Sequence, residues 1–69
     1  MATVKHAINE NDFVGLLDAV GEWPVGTTGT VVSERGEWKL IEISDDQGVM
    51  LDLLSVPEPG LKLISKHDE

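Results

Sequence analysis

The chain has no cysteine and no tyrosine, one phenylalanine, two tryptophans, and only five basic side chains against thirteen acidic ones. Without cysteine there is no disulfide framework and no thiolate for metal binding, haem attachment or nucleophilic catalysis. Stability must come from a packed core or from an oligomer. The opening "MATVKHAINEND" lacks the roughly 7 to 15 apolar residues of a signal peptide, and no later run approaches the ~20 residues of a membrane span. These absences predict a soluble, cytoplasmic chain. Scarce lysine and arginine give a net charge of -8, which repels nucleic acid and anionic membranes and favours basic partners. The acids are spread out, with three against one base in residues 1–20, six against two in 21–48 and four against two in 49–69. So even a spread describes a solvated surface better than a dedicated binding face.

What is present is a rhythm of short apolar runs. At 69 residues the chain is one domain with a thin core, burying only about 60% of its extended surface. A serine follows each of four runs, at Ser33, Ser44, Ser55 and Ser65, spaced 11, 11 and 10 residues apart. That spacing predicts consecutive short strands with tight turns. Gly36 in "SERGEW" suits a short hairpin loop, and in "SDDQGVM" Asp45 and Asp46 can fold back on the backbone while Gly48 closes a second hairpin. Pro57 and Pro59 in "VPEPGL" lack donors and forbid a ladder, which predicts a 3₁₀ turn before a last strand from Leu61 to Ile64. Alternation places Ile41 and Ile43 on one face, against Lys39 and Glu42. It also groups Val49, Leu51 and Leu53 on one face, with Leu40, Met50 and Leu54 opposite.

The segment "NDFVGLLDAVG" supports two readings. Phe13, Leu16, Leu17 and Val20 follow a helical spacing with Asn11 and Gly21 as caps. Gly15 disfavours a helix, and Val14, Leu16 and Val20 also fit a period of two. The chain divides into an N-terminal extension (1–10), a domain (11–65) and a polar tail (66–69).

In "WPVGTTGTVVSERG", Gly26 and Gly29 precede a β-branched run. A phosphate-binding loop requires a lysine and a hydroxyl after its last glycine, then a helix, and neither follows. The element "PVGTTGTVV" resembles the G-x-x-G-x-V turn of KOW-type and other SH3-like barrels. With its flanks "DFVGLLDAV", "LIEISDDQG" and "LDLLSVPEPGLKLI" it resembles a family of short bacterial proteins classed as a domain of unknown function. The likeness covers residues 11–64, and Trp38 and Ile43 depart from its pattern. It implies an all-β, five-stranded SH3-like barrel with residues 12–20 as the first strand, and it brings no catalytic or ligand-binding residue. Gly26, Gly29, Gly36 and Gly48 read as structural turn residues.

Few side chains point to chemistry. Asp45 and Asp46, with Glu42 and Gln47 near them, lack the alternating oxygen ligands and closing glutamate of a calcium loop. His6 and His67 sit near opposite ends and make a poor metal site. No nucleophile, base and orienter set is present, so no enzymatic activity, cofactor or metal is expected. The candidate partner-binding residues are Trp23 beside Glu22 and Trp38 beside Glu37, because an aromatic flanked by carboxylates suits a basic or proline-rich segment. The expectation is a non-enzymatic protein-interaction module, neutralising a toxin or serving an enzyme, with a homo-oligomer compatible. The alternative is a KOW-like nucleic-acid-binding domain, which the acidic charge opposes.

Overall fold

In the computed structural model, which describes residues 7–66, five strands and one 3₁₀ turn follow in order. They are β1 (Phe13–Leu16), β2 (Thr28–Arg35), β3 (Trp38–Ser44), β4 (Met50–Pro57), the 3₁₀ turn Glu58–Gly60 and β5 (Leu61–Ser65). All ladders are antiparallel, in the order β4-β3-β2-β1-β5. The domain is therefore all-β, with the 3₁₀ turn where the two prolines placed it. The expected barrel is not closed: β4 and β5 are the sheet's two edges. Pro57 ends β4 without an N–H to donate, the turn redirects the chain, and β5 spends its ladder on β1, pairing Val14 with Leu63 and Leu16 with Leu61.

The open sheet curls. Its core gathers Val14 and Leu16 of β1, Val31 of β2, Ile41 and Ile43 of β3, Leu54 and Val56 of β4, and Leu61 of β5, so both edge strands turn the same face to one interior. Ile8, ahead of the first strand, joins that cluster. The helical reading of residues 12–20 is overturned, and the strand itself is short. β1 lies between β2 and β5 and is laddered on both sides, with Val14 and Leu16 buried and Phe13 exposed as a period of two requires. At Gly15 a Cβ would stand 3.2 Å from Ile64 Cδ1. Beyond β1, Val20 and Trp23 form an isolated bridge.

The turns behave as read, with one exception. Gly36, at φ +61°, closes a two-residue loop between Arg35 and Trp38, where only the first turn residue needs positive φ. Asp45 Oδ1 accepts the N–H groups of Gln47 and Val49, Gly48 N–H donates to Asp45 O at 3.0 Å, and Gly26 N–H donates to Leu16 O at 2.9 Å. Gly29 is not a turn residue. It lies inside β2 and is buried, and it is required because β3 passes too close for any side chain.

Two face assignments are corrected. On β4 the inward side chains are Leu54 and Val56, while Leu51 and Leu53 are exposed, because Leu54 is paired with the inward Ile41 and Val56 with the inward Lys39, and directly paired residues share a face. Lys39 shares the inward side of Ile41 and Ile43, as residues two apart must, and is only 3% exposed. Its Nζ donates to Glu34 Oε1 at 3.1 Å and Gly36 O at 3.0 Å and lies 3.5 Å from Glu58 Oε1. A second ion pair clasps the ends of the domain, where Lys66 Nζ donates to the buried Asp12 Oδ2 at 2.7 Å and to Ala7 O and Asn9 Oδ1 at 2.9 Å.

Burial by itself pulls the Lys39 ammonium down, but the hydrogen bond and charge of Glu34, with the charge of Glu58, outweigh it and leave it above its ordinary 10.5. Glu34 is held below its ordinary 4.5, first by the Lys39 hydrogen bond and then by the backbone N–H of Glu10. A depressed carboxylate contributes stability above its unfolded value and loses it as pH falls through the folded one. A raised amine loses its contribution as pH rises through the folded value. The pair is thus expected to steepen unfolding below pH 4.5 and above pH 10.5. In Lys39→Met the alkaline limb vanishes and the acid limb shrinks in a urea-denaturation pH series. Unchanged limbs would remove the pair from the account.

Candidate functional site

The β2–β3 hairpin tip, Arg35 to Trp38, carries the most exposed chemistry of the sequence-predicted residues. The register sets Arg35 directly opposite Trp38. Because Lys39 turns inward, Trp38 turns outward, and it is 50% exposed on the outer sheet face. It lines a shallow depression of about 190 Å³ together with Ser33, Arg35, Leu40 and Ser55. Among the described residues its indole N–H has no hydrogen-bond partner, and neither the Arg35 guanidinium nor the Glu37 carboxylate is in an ion pair.

On the other side of the tip lies a groove of about 670 Å³. Ile8, Leu61 and Leu63 supply its apolar lining, and Pro59, Glu37 and Glu58 line it with them. Glu58 holds this arrangement together: its N–H donates to Glu37 O at 2.6 Å, its Oε2 accepts Ile8 N–H at 3.2 Å, and its Oε1 faces Lys39. One backbone tip therefore separates an aromatic shelf from a groove that two glutamates help to line.

Trp23 belongs elsewhere. Its indole packs against the core cluster and its Nε1–H donates to Asp52 Oδ2 at 2.7 Å. That bond, with the N–H of Leu53, holds the Asp52 carboxyl below its ordinary 3.8. Asp52 pairs with Ile43 and Trp38 with Pro57, so the two tryptophans lie five residues apart along the ribbon, roughly 17 Å at ~3.4 Å per residue. They do not form one groove. Glu22 is exposed in the turn beside Trp23, without an ion-pair partner among the described residues.

The chain matches no protein family, no curated protein and no solved structure. What the structure supports of the expected likeness is a small all-β domain of five antiparallel strands. Among the described residues no three His, Cys, Asp or Glu side chains converge as a metal site would need. His6 and His67 lie outside the described residues. The surroundings of Trp38 went unread in the sequence, because Arg35, Ser33 and Ser55 reach it only through the register of three strands. The inward Lys39 did have a signal, its even spacing from Ile41 and Ile43.

Proposed function

We propose that this protein is a small non-enzymatic interaction module of SH3-like architecture that binds another protein through the Trp38 face, taking an extended basic or proline-rich segment. The observation that carries the reading is the half-exposed Trp38 on a rigid strand, with a free indole N–H among the described residues. Tryptophans placed in this way are over-represented among residues that dominate binding energy, and a rigid shelf spares a partner the cost of ordering it. Glu37, next to Trp38 in the chain and in no ion pair among the described residues, offers a lysine or arginine of the same segment its counter-charge. The strand order and the 3₁₀ turn before β5 are compatible with an SH3-like scaffold. Such a partner fits either role read from the sequence, a toxin to be neutralised or an enzyme to be served.

Among the described residues a nucleic-acid partner finds less to hold. Lys39 and Lys66 are committed to internal ion pairs, and Arg35 and Lys62 stand on strands separated by β1. Phosphate recognition needs such cations clustered.

A proline-rich peptide carrying arginine and lysine, titrated into the ¹⁵N-labelled protein, is expected to move the Trp38 indole resonance in a saturable way. Trp38→Ala is expected to weaken that binding by at least about tenfold, about 1.4 kcal/mol. A Trp38 resonance that stays fixed, or a variant that binds as tightly as the parent, would refute the assignment.

A further inference from the structure

From Ala7 to Glu10 the chain lies ahead of β1 and outside every ladder, and its backbone is held by charge. Three successive N–H groups each donate to a different carboxylate: Ile8 to Glu58 Oε2 at 3.2 Å, Asn9 to Asp12 Oδ2 at 2.8 Å and Glu10 to Glu34 Oε2 at 3.1 Å. Each of these carboxylates also faces a lysine. Glu34 Oε1 and Glu58 Oε1 share Lys39 Nζ, and Asp12 Oδ2 accepts Lys66 Nζ. Lys66 further donates to Ala7 O and Asn9 Oδ1. Of the four side chains only that of Ile8 is buried.

We infer that residues 7–10 form a charge-latched strap, which detaches from the domain as one unit when its latch is discharged and leaves the five-stranded sheet folded. The sheet does not depend on the strap, because every ladder runs between β1 and β5 without it. Just beyond it the chain is pinned, where Asn11, at φ +76°, donates its N–H to Val31 O at 2.6 Å, so opening swings the strap about Asn11. Its bonds are lost together. One ammonium, Lys39, holds two of the three carboxylates, and the other, Lys66, holds the third along with Ala7 and Asn9. Against release stands Ile8, one of the nine members of the core cluster, while the freed N–H groups are rehydrated. Acid discharges the latch. The charged groups facing the strap are Glu34 from β2, Lys39 from β3, Glu58 from the 3₁₀ turn, Asp12 at the head of β1 and Lys66 after β5, with Glu10 on the strap itself. All three N–H acceptors among them are carboxylates, so each charge-assisted bond is present above the carboxyl's pKa and lost as pH falls through it. Ala7 and Ile8 also line the 670 Å³ groove, so release takes away one of its walls. The strap and its release are independent of the Trp38 surface and of any peptide partner.

Amide hydrogen exchange of the full chain near neutral pH, read from ¹H–¹⁵N spectra, tests it. Lys66→Gln is expected to speed exchange at Ile8, Asn9 and Glu10 by at least about tenfold, while Ile41 and Ile43 on β3, laddered on both sides, keep their protection. Lys62→Gln, exposed on β5 and in no ion pair among the described residues, is expected to exchange as the parent does. An acid titration of the parent needs no variant. There the three strap amides are expected to move along one curve with its midpoint below 4.5, the ordinary value of Glu34, before the Ile41 and Ile43 resonances change. Strap amides that titrate on separate curves or only together with those of β3, or a Lys66→Gln chain that protects residues 8–10 as the parent does or loses β3 protection by the same factor, would each overturn the proposal.

Discussion

Gly29→Ala is expected to lower the thermal midpoint by roughly 12–24 °C, the equivalent of about 3 kcal/mol in a domain of this size. A Cβ at that position would lie 2.6 Å from Ile41 Cγ2, 2.7 Å from the carbonyl oxygen of Glu42 and 2.9 Å from Ile43 Cδ1. Side-chain methyls can rotate away. The Glu42 carbonyl cannot, because it belongs to the β3 backbone, and moving it opens the β2–β3 ladder in which Thr30 pairs with Glu42. Overpacking a core costs about 1–3 kcal/mol, and a backbone obstacle puts this case at the upper end. Domains of this kind have only about 5–15 kcal/mol in total. Thermal unfolding followed by circular dichroism gives the answer, and a drop under about 5 °C, near 1 kcal/mol, would mean that β2 and β3 can part without cost.

Trp23→Ala is the second large effect, expected at about 3 kcal/mol, the lower end for deleting a core tryptophan, because the ring is partly exposed. The ring joins the loop after β1 to the strand at the far edge of the sheet, through packing on the core and through the Asp52 hydrogen bond. Trp23→Phe separates the two contributions, since it keeps most of the apolar contact and loses the N–H donated to Asp52. It also has a pH signature. Asp52 is held below its ordinary 3.8 first by the Trp23 N–H, so its contribution is present above that pH and disappears as pH falls through the folded value. Trp23→Phe is expected to flatten the acid limb of the stability curve below pH 3.8 while leaving the alkaline limb intact. An equal loss at all pH values would assign the whole effect to packing.

The strands and turns were legible because their signals are local. Gly36 and Gly48 needed positive φ and took it, Asp45 capped its own turn, and the two prolines mark the end of the β4 ladder, Pro57 as its last paired residue and Pro59 inside the 3₁₀ turn. Features that depend on distant partners were not. The short β1 was ambiguous because Phe13, Leu16, Leu17 and Val20 satisfy a helical period, and only laddering by β2 and β5 decides between the readings. The β4 side chains were assigned to the wrong faces because the alternation of Val49, Leu51 and Leu53 has no sign of its own, and only the pairing of Leu54 with the inward Ile41 and of Val56 with the inward Lys39 decides which set meets the core. Sheet closure was expected from a resemblance, whereas β4 and β5 remain separate edges. The candidate site divided in the same way. Both tryptophans looked alike beside their glutamates, and the partner that distinguishes them, Asp52, lies 29 residues from Trp23 in the chain.

The central claim is that the tryptophans divide their work, Trp23 as scaffold and Trp38 as contact surface. Hydrogen exchange of the two indole N–H groups, followed by ¹H–¹⁵N correlation spectra with and without the proline-rich basic peptide, tests it most directly. The account predicts a protected Trp23 N–H that the peptide leaves in place, and a Trp38 N–H that exchanges at the solvent rate and is slowed on binding. A Trp23 N–H that exchanges as fast as that of Trp38, or a peptide that slows Trp23 and not Trp38, would contradict it.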